Sequence, residues 1–115
     1  ATNTLKQALK QIKDEPEDAR AIIENALGFA LAAQDNFNEA INHYKNAIKS
    51  KSNYPVALNN LAFAKLKLSE NNEAYEIYQK VLAIDPKNKT ANKQIKNINK
   101  INKNKSERII YKKGF

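Results

Sequence analysis

Apolar residues along this 115-residue chain recur in steps of three and four, which is the spacing of one face of an α-helix. Ile23, Leu27 and Leu31 form one such face, and comparable faces follow further along the chain. Turn-forming polar residues separate the helical segments at 34–36, 50–55, 69–72 and 85–86. Because no stretch alternates apolar and polar residues over a useful length, the pattern predicts an all-α fold.

A shift of 34 residues brings the chain into register with itself. Residues 25–30 (NALGFA) align with residues 59–64 (NNLAFA), and Tyr44 aligns with Tyr78. A third, partial copy begins after Pro86. Repeats of this length are typical of stacked helix pairs, since each pair buries its apolar face only against its neighbours.

These copies resemble the tetratricopeptide repeat (TPR) family, whose 34-residue pattern is Trp-x2-Leu-Gly-x2-Tyr, then Ala-x3-Phe, then Pro. The matching positions are Leu27-Gly28 and Ala40-x3-Tyr44 in the first copy, and Leu61-Ala62, Ala74-x3-Tyr78 and Pro86 in the second. Two polar residues depart from the pattern, because Glu24 stands at the Trp position and Lys65 at the Tyr position. We therefore expect looser or partly solvated packing around Glu24 and Lys65.

The resemblance implies an all-α, right-handed solenoid of antiparallel helix pairs, with about six helices. We place the TPR domain at 1–105 and a basic tail at 106–115. The domain comprises an N-terminal helix (1–16), a first repeat (20–54), a second repeat (55–88) and a capping helix or partial third repeat (89–105).

In TPR proteins the first helix of each repeat lines a concave groove, to which a partner binds. The resemblance assigns eight residues to this groove: Ile22, Asn25, Phe29, Val56, Asn59, Asn60, Phe63 and Leu66. Phe29 and Phe63 would stand side by side and offer an apolar surface to a helix or an extended peptide, with the asparagines bonding its backbone. The alternative is that both phenylalanines close the internal core.

Some members of the family clamp chaperone tails with a groove Lys and Asn that lie four residues apart. The corresponding positions of the two copies hold Asn25 with Phe29 and Asn59 with Phe63. We therefore expect no such clamp.

The net charge of +8 is concentrated at the C-terminal end. Residues 1–86 hold 10 Lys/Arg and 11 Asp/Glu, whereas residues 87–115 hold 10 Lys/Arg and a single acidic residue, Glu107. Five lysines of this segment recur at helical spacing and form what we call the lysine stripe: Lys89, Lys93, Lys96, Lys100 and Lys103. A second face carries Ile95, Ile98 and Ile101.

Three interpretations of the lysine stripe stay open. A charge run of this kind is most often the solvated face of a capping helix. The stripe also suits an anionic membrane surface or an acidic protein, and it suits nucleic-acid phosphate. We rank nucleic acid last because no aromatic residue is interleaved with the lysines from 89 to 108.

Residues that carry out catalysis or hold cofactors are scarce. The chain has no Cys and only two Gly, so it has neither a thiolate site nor a Gly-rich phosphate loop. His43 is the single histidine and has Ala47 four residues later, which favours a packing or solvent-facing role. The acidic cluster at 14–18 fits a helix boundary around Pro16. We expect no enzyme activity, metal, cofactor or small-molecule substrate.

Three segments resemble a narrower group, the TPR proteins of cyanobacteria and plastids that assist photosystem I assembly: 57–63 (ALNNLAF), 73–82 (EAYEIYQKVL) and 84–89 (IDPKNK). This resemblance implies a non-enzymatic scaffold with photosystem subunits as partners. It also implies a location at the cytoplasmic face of the thylakoid membrane or in the plastid stroma, with any membrane anchor outside these 115 residues. The alternatives are a cytoplasmic TPR adaptor for another protein, or a nucleic-acid-binding module that uses the basic tail.

Overall fold

The computed structural model describes the backbone of residues 2–11 and 17–114 and the side chains of residues 3–8 and 18–107. Within these ranges it contains six helices and no strand: α1 (Thr2–Gln11), α2 (Glu17–Ala33), α3 (Phe37–Ser50), α4 (Pro55–Lys67), α5 (Asn71–Ile84) and α6 (Lys89–Gly114). The all-α prediction is confirmed. Residues 12–16, which the sequence analysis assigns to the N-terminal helix and to the acidic cluster, lie outside the described residues.

One turn geometry reverses the chain at the end of both α2 and α4. Asp35 adopts the left-handed conformation with φ 60°. Its N–H donates a hydrogen bond to the carbonyl oxygen of Ala32 at 2.9 Å, and the N–H of Asn36 donates one to the carbonyl oxygen of Leu31 at 2.9 Å. The matching residues 34 positions later make the same two bonds at 2.9 Å, with Ser69 at φ 60°. This pair of bonds is the Schellman motif, which normally places Gly at the left-handed position.

Two further residues set helix starts. Pro55 is the first residue of α4. A backbone N–H at this position has no acceptor within the helix, so the absence of one in Pro costs no hydrogen bond. Asn88 precedes α6, and its Oδ1 accepts a hydrogen bond from the N–H of Ala91 at 3.0 Å. That bond satisfies one of the unpaired amides at the N-terminus of the helix.

The helices stack as antiparallel pairs in a right-handed solenoid. α2 pairs with α3, α4 pairs with α5, and α3 packs on α4 to join the pairs. α1 packs on α2 and α6 packs on α5, so the two repeats are covered at both ends. α2 also contacts α4, which places the first helices of the repeats side by side in one layer.

Two buried tyrosines, Tyr44 and Tyr78, lie one repeat apart, and each belongs to one of the two core clusters. Tyr44 packs with Leu31, Ile41 and Leu61 between the first pair and α4. The second cluster lies between α4, α5 and α6: Leu58, Ala62, Ala74, Tyr78, Val81, Ala91 and Ile98. Burial raises the pKa of both tyrosines to about 12, because the phenolate would lose its hydration.

The expectation of loose or solvated packing is wrong at Glu24. This residue is only 5% exposed, and its Oε2 lies 2.7 Å from Nδ1 of His43 on α3. Since a carboxylate can only accept, the imidazole donates through Nδ1. A specific polar pair therefore replaces the aromatic residue of the family pattern.

Lys65 keeps partial exposure to solvent, as expected, with 13% of its side chain accessible. Its Nζ lies 2.8 Å from carboxylate oxygens of both Glu70, the residue that precedes α5, and Glu73 on α5. The hydrogen bonds to Glu70 and Glu73 raise the pKa of Lys65, and the bond from Lys65 lowers the pKa of Glu73. The ammonium group thus links the end of α4 to the start of α5.

α6 is longer than the capping helix expected from the sequence. It runs without a break past residue 105, where the sequence analysis begins the tail, to Gly114. Ile98 is fully buried against the core, whereas all side chains from residue 99 to residue 107 are exposed. The helix thus extends beyond the stacked pairs, and the molecule measures 63 × 29 × 18 Å.

Candidate functional site

The predicted groove residues lie on α2 and α4, the first helices of the two repeats, which contact each other. Phe29 is 63% exposed and Phe63 is 43% exposed, and Ile22 and Val56 are also exposed. The alternative that both phenylalanines close the internal core is therefore wrong. Four large apolar side chains on one layer make the kind of exposed patch that marks an interaction surface.

An aromatic recess of about 320 Å³ lies between α2 and α4. Phe29 and Phe63 line it, with Phe37 and Tyr44 from α3. Asp35, Asn60, Lys67, Ala32 and Ala33 complete the lining. The recess offers apolar surface to one side chain of a partner, with polar groups among its lining.

A basic recess of about 490 Å³ follows between α4 and α6. Its apolar lining comes from Phe63, Leu66, Ile98 and Ile101, and its polar lining from Lys67, Asn71, Gln94, Asn97 and Lys100. Phe63 and Lys67 border both recesses, and Lys67 Nζ lies 5.3 Å from the centroid of the Phe63 ring. The two recesses are therefore neighbours along one groove.

The groove asparagines bond to each other or to the chain, which differs from the sequence-based expectation that they serve a partner's backbone. Asn60 Nδ2 donates to Asn25 Oδ1 at 3.0 Å and so links α4 to α2. Asn59 Nδ2 donates to Asn88 Oδ1 at 3.2 Å and so links α4 to the cap of α6. These bonds hold α2, α4 and α6 in register. Asn25 and Asn60 are half-exposed and have further donor and acceptor groups available for a partner.

The lysine stripe is exposed along its whole length. A third recess of about 440 Å³ is lined by four of its members and three neighbours: Lys87, Lys89, Asn92, Lys93, Lys96, Asn97 and Lys100. Lys103 lies further along α6, with its Nζ 4.0 Å from Glu107. The sequence analysis treats the stripe as separate from the groove, but Lys100 borders both the basic recess and this third recess.

Sequence reasoning missed Phe37, Lys67 and Asn97 as groove residues. For Lys67 a signal was present, since it follows Phe63 by four residues on the same helix. Asn97 follows Phe63 by 34 residues, so one more application of the repeat would have found it. Phe37 begins α3 and enters the recess only because the turn at Asp35 brings it there.

Within residues 2–11 and 17–114, no group of three or more His, Cys, Asp or Glu side chains is arranged to hold a metal ion. His43 packs between α2 and α3 through its bond to Glu24. None of the helices in this part of the chain has both the length and the apolar character needed to cross a bilayer.

Comparison with protein families gives a match over residues 31–94 to the family described as Tetratricopeptide repeat. The chain is 34% identical over 92 residues to the uncharacterized protein ycf37 of Cyanophora paradoxa, covering 78% of this chain and 54% of that one. It is 33% identical over 91 residues to the chloroplastic TPR domain-containing protein PYG7 of Arabidopsis thaliana, covering 79% of this chain and 30% of that one. The chain thus spans about half or less of the length of these relatives, and the resemblance found in the sequence is confirmed.

Two solved structures share the fold. The second TPR domain of human RPAP3, in complex with the HSP70 peptide SGPTIEEVD, superposes with a TM-score of 0.67 at 26% identity, covering 70% of this chain and 68% of that one. The first TPR of Spaghetti (RPAP3), bound to the HSP90 peptide SRMEEVD, has a TM-score of 0.72 at 19% identity, covering 86% and 80%.

Proposed function

Because the chain belongs to the tetratricopeptide repeat family, we propose that it is a protein-interaction scaffold that binds a partner segment in the groove. The observation that carries the proposal is the exposure of Phe29 and Phe63, one repeat apart, on either side of the aromatic recess. Ile22, Asn25, Val56, Asn59, Asn60 and Leu66 complete the proposed site. The protein acts without catalysis, by holding its partner.

The energetics of the two phenylalanines support a binding role. Each ring now exposes apolar area to water, and covering such area stabilises a complex by roughly 25 cal/mol per Å² before the cost of association. Aromatic anchors in a recess with polar groups nearby are typical of the few residues that dominate an interface. The asparagine bonds between helices preorganise the groove, which lowers the cost of ordering it on binding.

We further propose that the partner belongs to a photosynthetic membrane complex, photosystem I by the resemblance stated above. The chloroplastic relative from Arabidopsis supports a plastid location, either in the stroma or at the cytoplasmic face of the thylakoid membrane. The RPAP3 domain in complex with an HSP70 peptide supports a short peptide segment as the element that is recognised.

Affinity capture tests this proposal. The immobilised chain is incubated with detergent-solubilised thylakoid membranes, and retained photosystem I and photosystem II subunits are measured with antibodies. We expect selective retention of photosystem I subunits and at least a tenfold loss with Phe29→Ala/Phe63→Ala. Ile84→Ala is the matched control, because Ile84 on α5 is an exposed apolar residue that none of the three recesses includes.

Circular dichroism on the same variants separates binding from folding. Phe29 and Phe63 are 63% and 43% exposed and neither belongs to the two core clusters, so the double variant is expected to keep its helix content and nearly its melting temperature. Global unfolding of the double variant, or undiminished capture by it, would contradict the groove. Equal retention of both photosystems would contradict the photosystem I partner and leave the scaffold in place.

A further inference from the structure

The repeat register continues from α4 into α6. One more shift of 34 residues pairs three residues of α6 with three of α4: Lys93 with Asn59, Asn97 with Phe63, and Lys100 with Leu66. The fold brings the two helices together, because Phe63 and Lys100 line the same recess and Asn59 bonds to the cap of α6. The groove is therefore aromatic where α2 and α4 form it and basic where α6 forms it.

The positive charge at this end of the groove is not neutralised within the part of the chain that the structure describes. Among the lysines of that part, Lys51, Lys65 and Lys103 form ion pairs with N–O distances of 4.0 Å or less. Lys67, Lys93, Lys96 and Lys100 make none there. A partner that carries carboxylates would supply the missing counter-charge next to an apolar recess.

Building on the proposed function, we propose that the partner segment is both apolar and acidic. One aliphatic or aromatic side chain enters the basic recess against Phe63, Leu66 and Ile98. Neighbouring Asp or Glu side chains of the segment pair with Lys67, Lys93 and Lys100. These carboxylates belong to side chains and not to a free C-terminus, because neither α2 nor α4 carries the Lys and Asn pair of a chaperone-tail clamp.

The packing of α6 favours a protein over a membrane as the occupant. An amphipathic helix binds a bilayer by inserting its apolar face. In α6 most of that face is already used, because Ile98 is fully buried and Ile95 packs against the core. Ile101, which is 40% exposed, borders the basic recess and is the member of that face left for a partner. Nucleic acid is disfavoured because no aromatic side chain lines the third recess, where four members of the lysine stripe lie. The stacking surface next to these lysines is then the single ring of Phe63 in the basic recess, which Lys67 already contacts.

Synthetic peptides with amidated C-termini test the inference against the whole chain by fluorescence anisotropy. The first peptide has leucines followed by glutamates, the second has glutamines in place of the glutamates, and the third has serines in place of the leucines. We expect the first to bind best and each substitution to weaken binding about tenfold. Added salt should weaken the first peptide only to the level of the second, because salt screens the ion pairs and not the apolar contact.

Matched variants locate the binding. Lys93→Gln/Lys100→Gln should weaken the first peptide about fivefold to tenfold and leave the second unchanged. Lys49→Gln/Lys80→Gln removes the same charge from α3 and α5, away from the groove, and should have no more than a twofold effect. Equal losses in both variants, or equal binding of the acidic and neutral peptides, would overturn the inference.

Two further probes decide between classes of partner. One probe is vesicles made of phosphatidylcholine and phosphatidylglycerol, and the other is poly(U) RNA. Each probe is titrated with both lysine double variants. Binding of either probe that depends on Lys93 and Lys100, with no binding of the acidic peptide, would overturn the inference in favour of a membrane or RNA. If Phe29→Ala/Phe63→Ala abolishes photosystem capture while Lys93→Gln/Lys100→Gln does not affect it, the proposed function stands and the acidic partner is wrong.

Discussion

A Cβ atom built on Gly28 would lie 2.5 Å from Cε1 and 2.6 Å from Cδ1 of the Tyr44 ring. The same atom would lie 3.1 Å from the backbone carbonyl oxygen of Ala40. Helices α2 and α3 therefore approach so closely that only a hydrogen fits between them at this point. The family pattern has Gly at this position, and the contact with Tyr44 is the physical reason for it in this chain.

Replacing Gly28 by Ala is expected to destabilise the protein. Overpacking of this kind costs roughly 1–3 kcal/mol, and the better helix propensity of Ala offsets about 1 kcal/mol of it. We expect a net loss of up to about 2 kcal/mol in the free energy of unfolding, measured by urea denaturation. Ala62→Gly in the second repeat is the control and should lose roughly 1–2 kcal/mol, because it lowers helix propensity and also removes a fully buried methyl group. A Gly28→Ala variant that is more stable than the parent would contradict the close approach.

The pair of Glu24 and His43 can be replaced by the apolar pair that the second repeat has at the same positions. The second repeat holds Leu58 and Ile77 at the matching positions, and both pack in the apolar core. His43→Ala leaves a buried carboxylate without its partner, so we expect a loss of about 2 kcal/mol. Glu24→Leu/His43→Ile should be as stable as the parent or more stable, because an apolar pair carries no desolvation cost. The double variant being less stable than both single variants would show that the polar pair is needed.

Asp35 and Ser69, which adopt the left-handed conformation at the two helix reversals, are positions where glycine is expected to stabilise the protein. A non-glycine residue at positive φ costs roughly 1 kcal/mol, and Asp tolerates this conformation better than Ser does. Ser69→Gly should therefore raise the free energy of unfolding by about 0.5–1 kcal/mol, and Asp35→Gly should raise it by less. Ser69→Ala is the matched control, which should give no gain because Ala carries the same Cβ. Calorimetry is the measurement, and an equal gain for Ala and Gly would refute the conformational explanation.

The buried tyrosines predict a loss of stability at high pH. Burial raises the pKa of Tyr44 and Tyr78 from 10.0 to about 12, so both phenols are protonated in folded and unfolded chains below pH 10. Above pH 10 the unfolded chain loses these protons first, and the free energy of unfolding falls until about pH 12. The raised pKa of Lys65 acts with the same sign.

Tyr78→Phe should reduce this alkaline loss, as followed by urea denaturation at several pH values. At neutral pH the variant should be at least as stable as the parent, because the Tyr78 hydroxyl is buried without a hydrogen-bond partner. Tyr75→Phe removes a half-buried hydroxyl and serves as the control. An unchanged alkaline profile in Tyr78→Phe would contradict the contribution of this phenol.

Local signals predicted the helices well. The spacing of Ile23, Leu27 and Leu31 defines the buried face of α2, and the 34-residue register placed Phe29 and Phe63 on a shared face. The pairing of Glu24 with His43 had no such signal, because the two residues lie 19 positions apart and neither fits the repeat pattern. The same holds for Lys65, whose partners Glu70 and Glu73 come within reach only through the turn at Ser69.

The sequence alone determined the all-α class, the two helix pairs and the concentration of charge near the C-terminus, because periodicity and composition are properties of the chain itself. The tertiary structure decided which polar residues are buried and which aromatic residues are exposed, because burial depends on what other helices cover. It also decided that the lysine stripe and the groove meet at Lys100. Side chains from different repeats share a recess only when the stacking of α4 and α6 sets the distance between them.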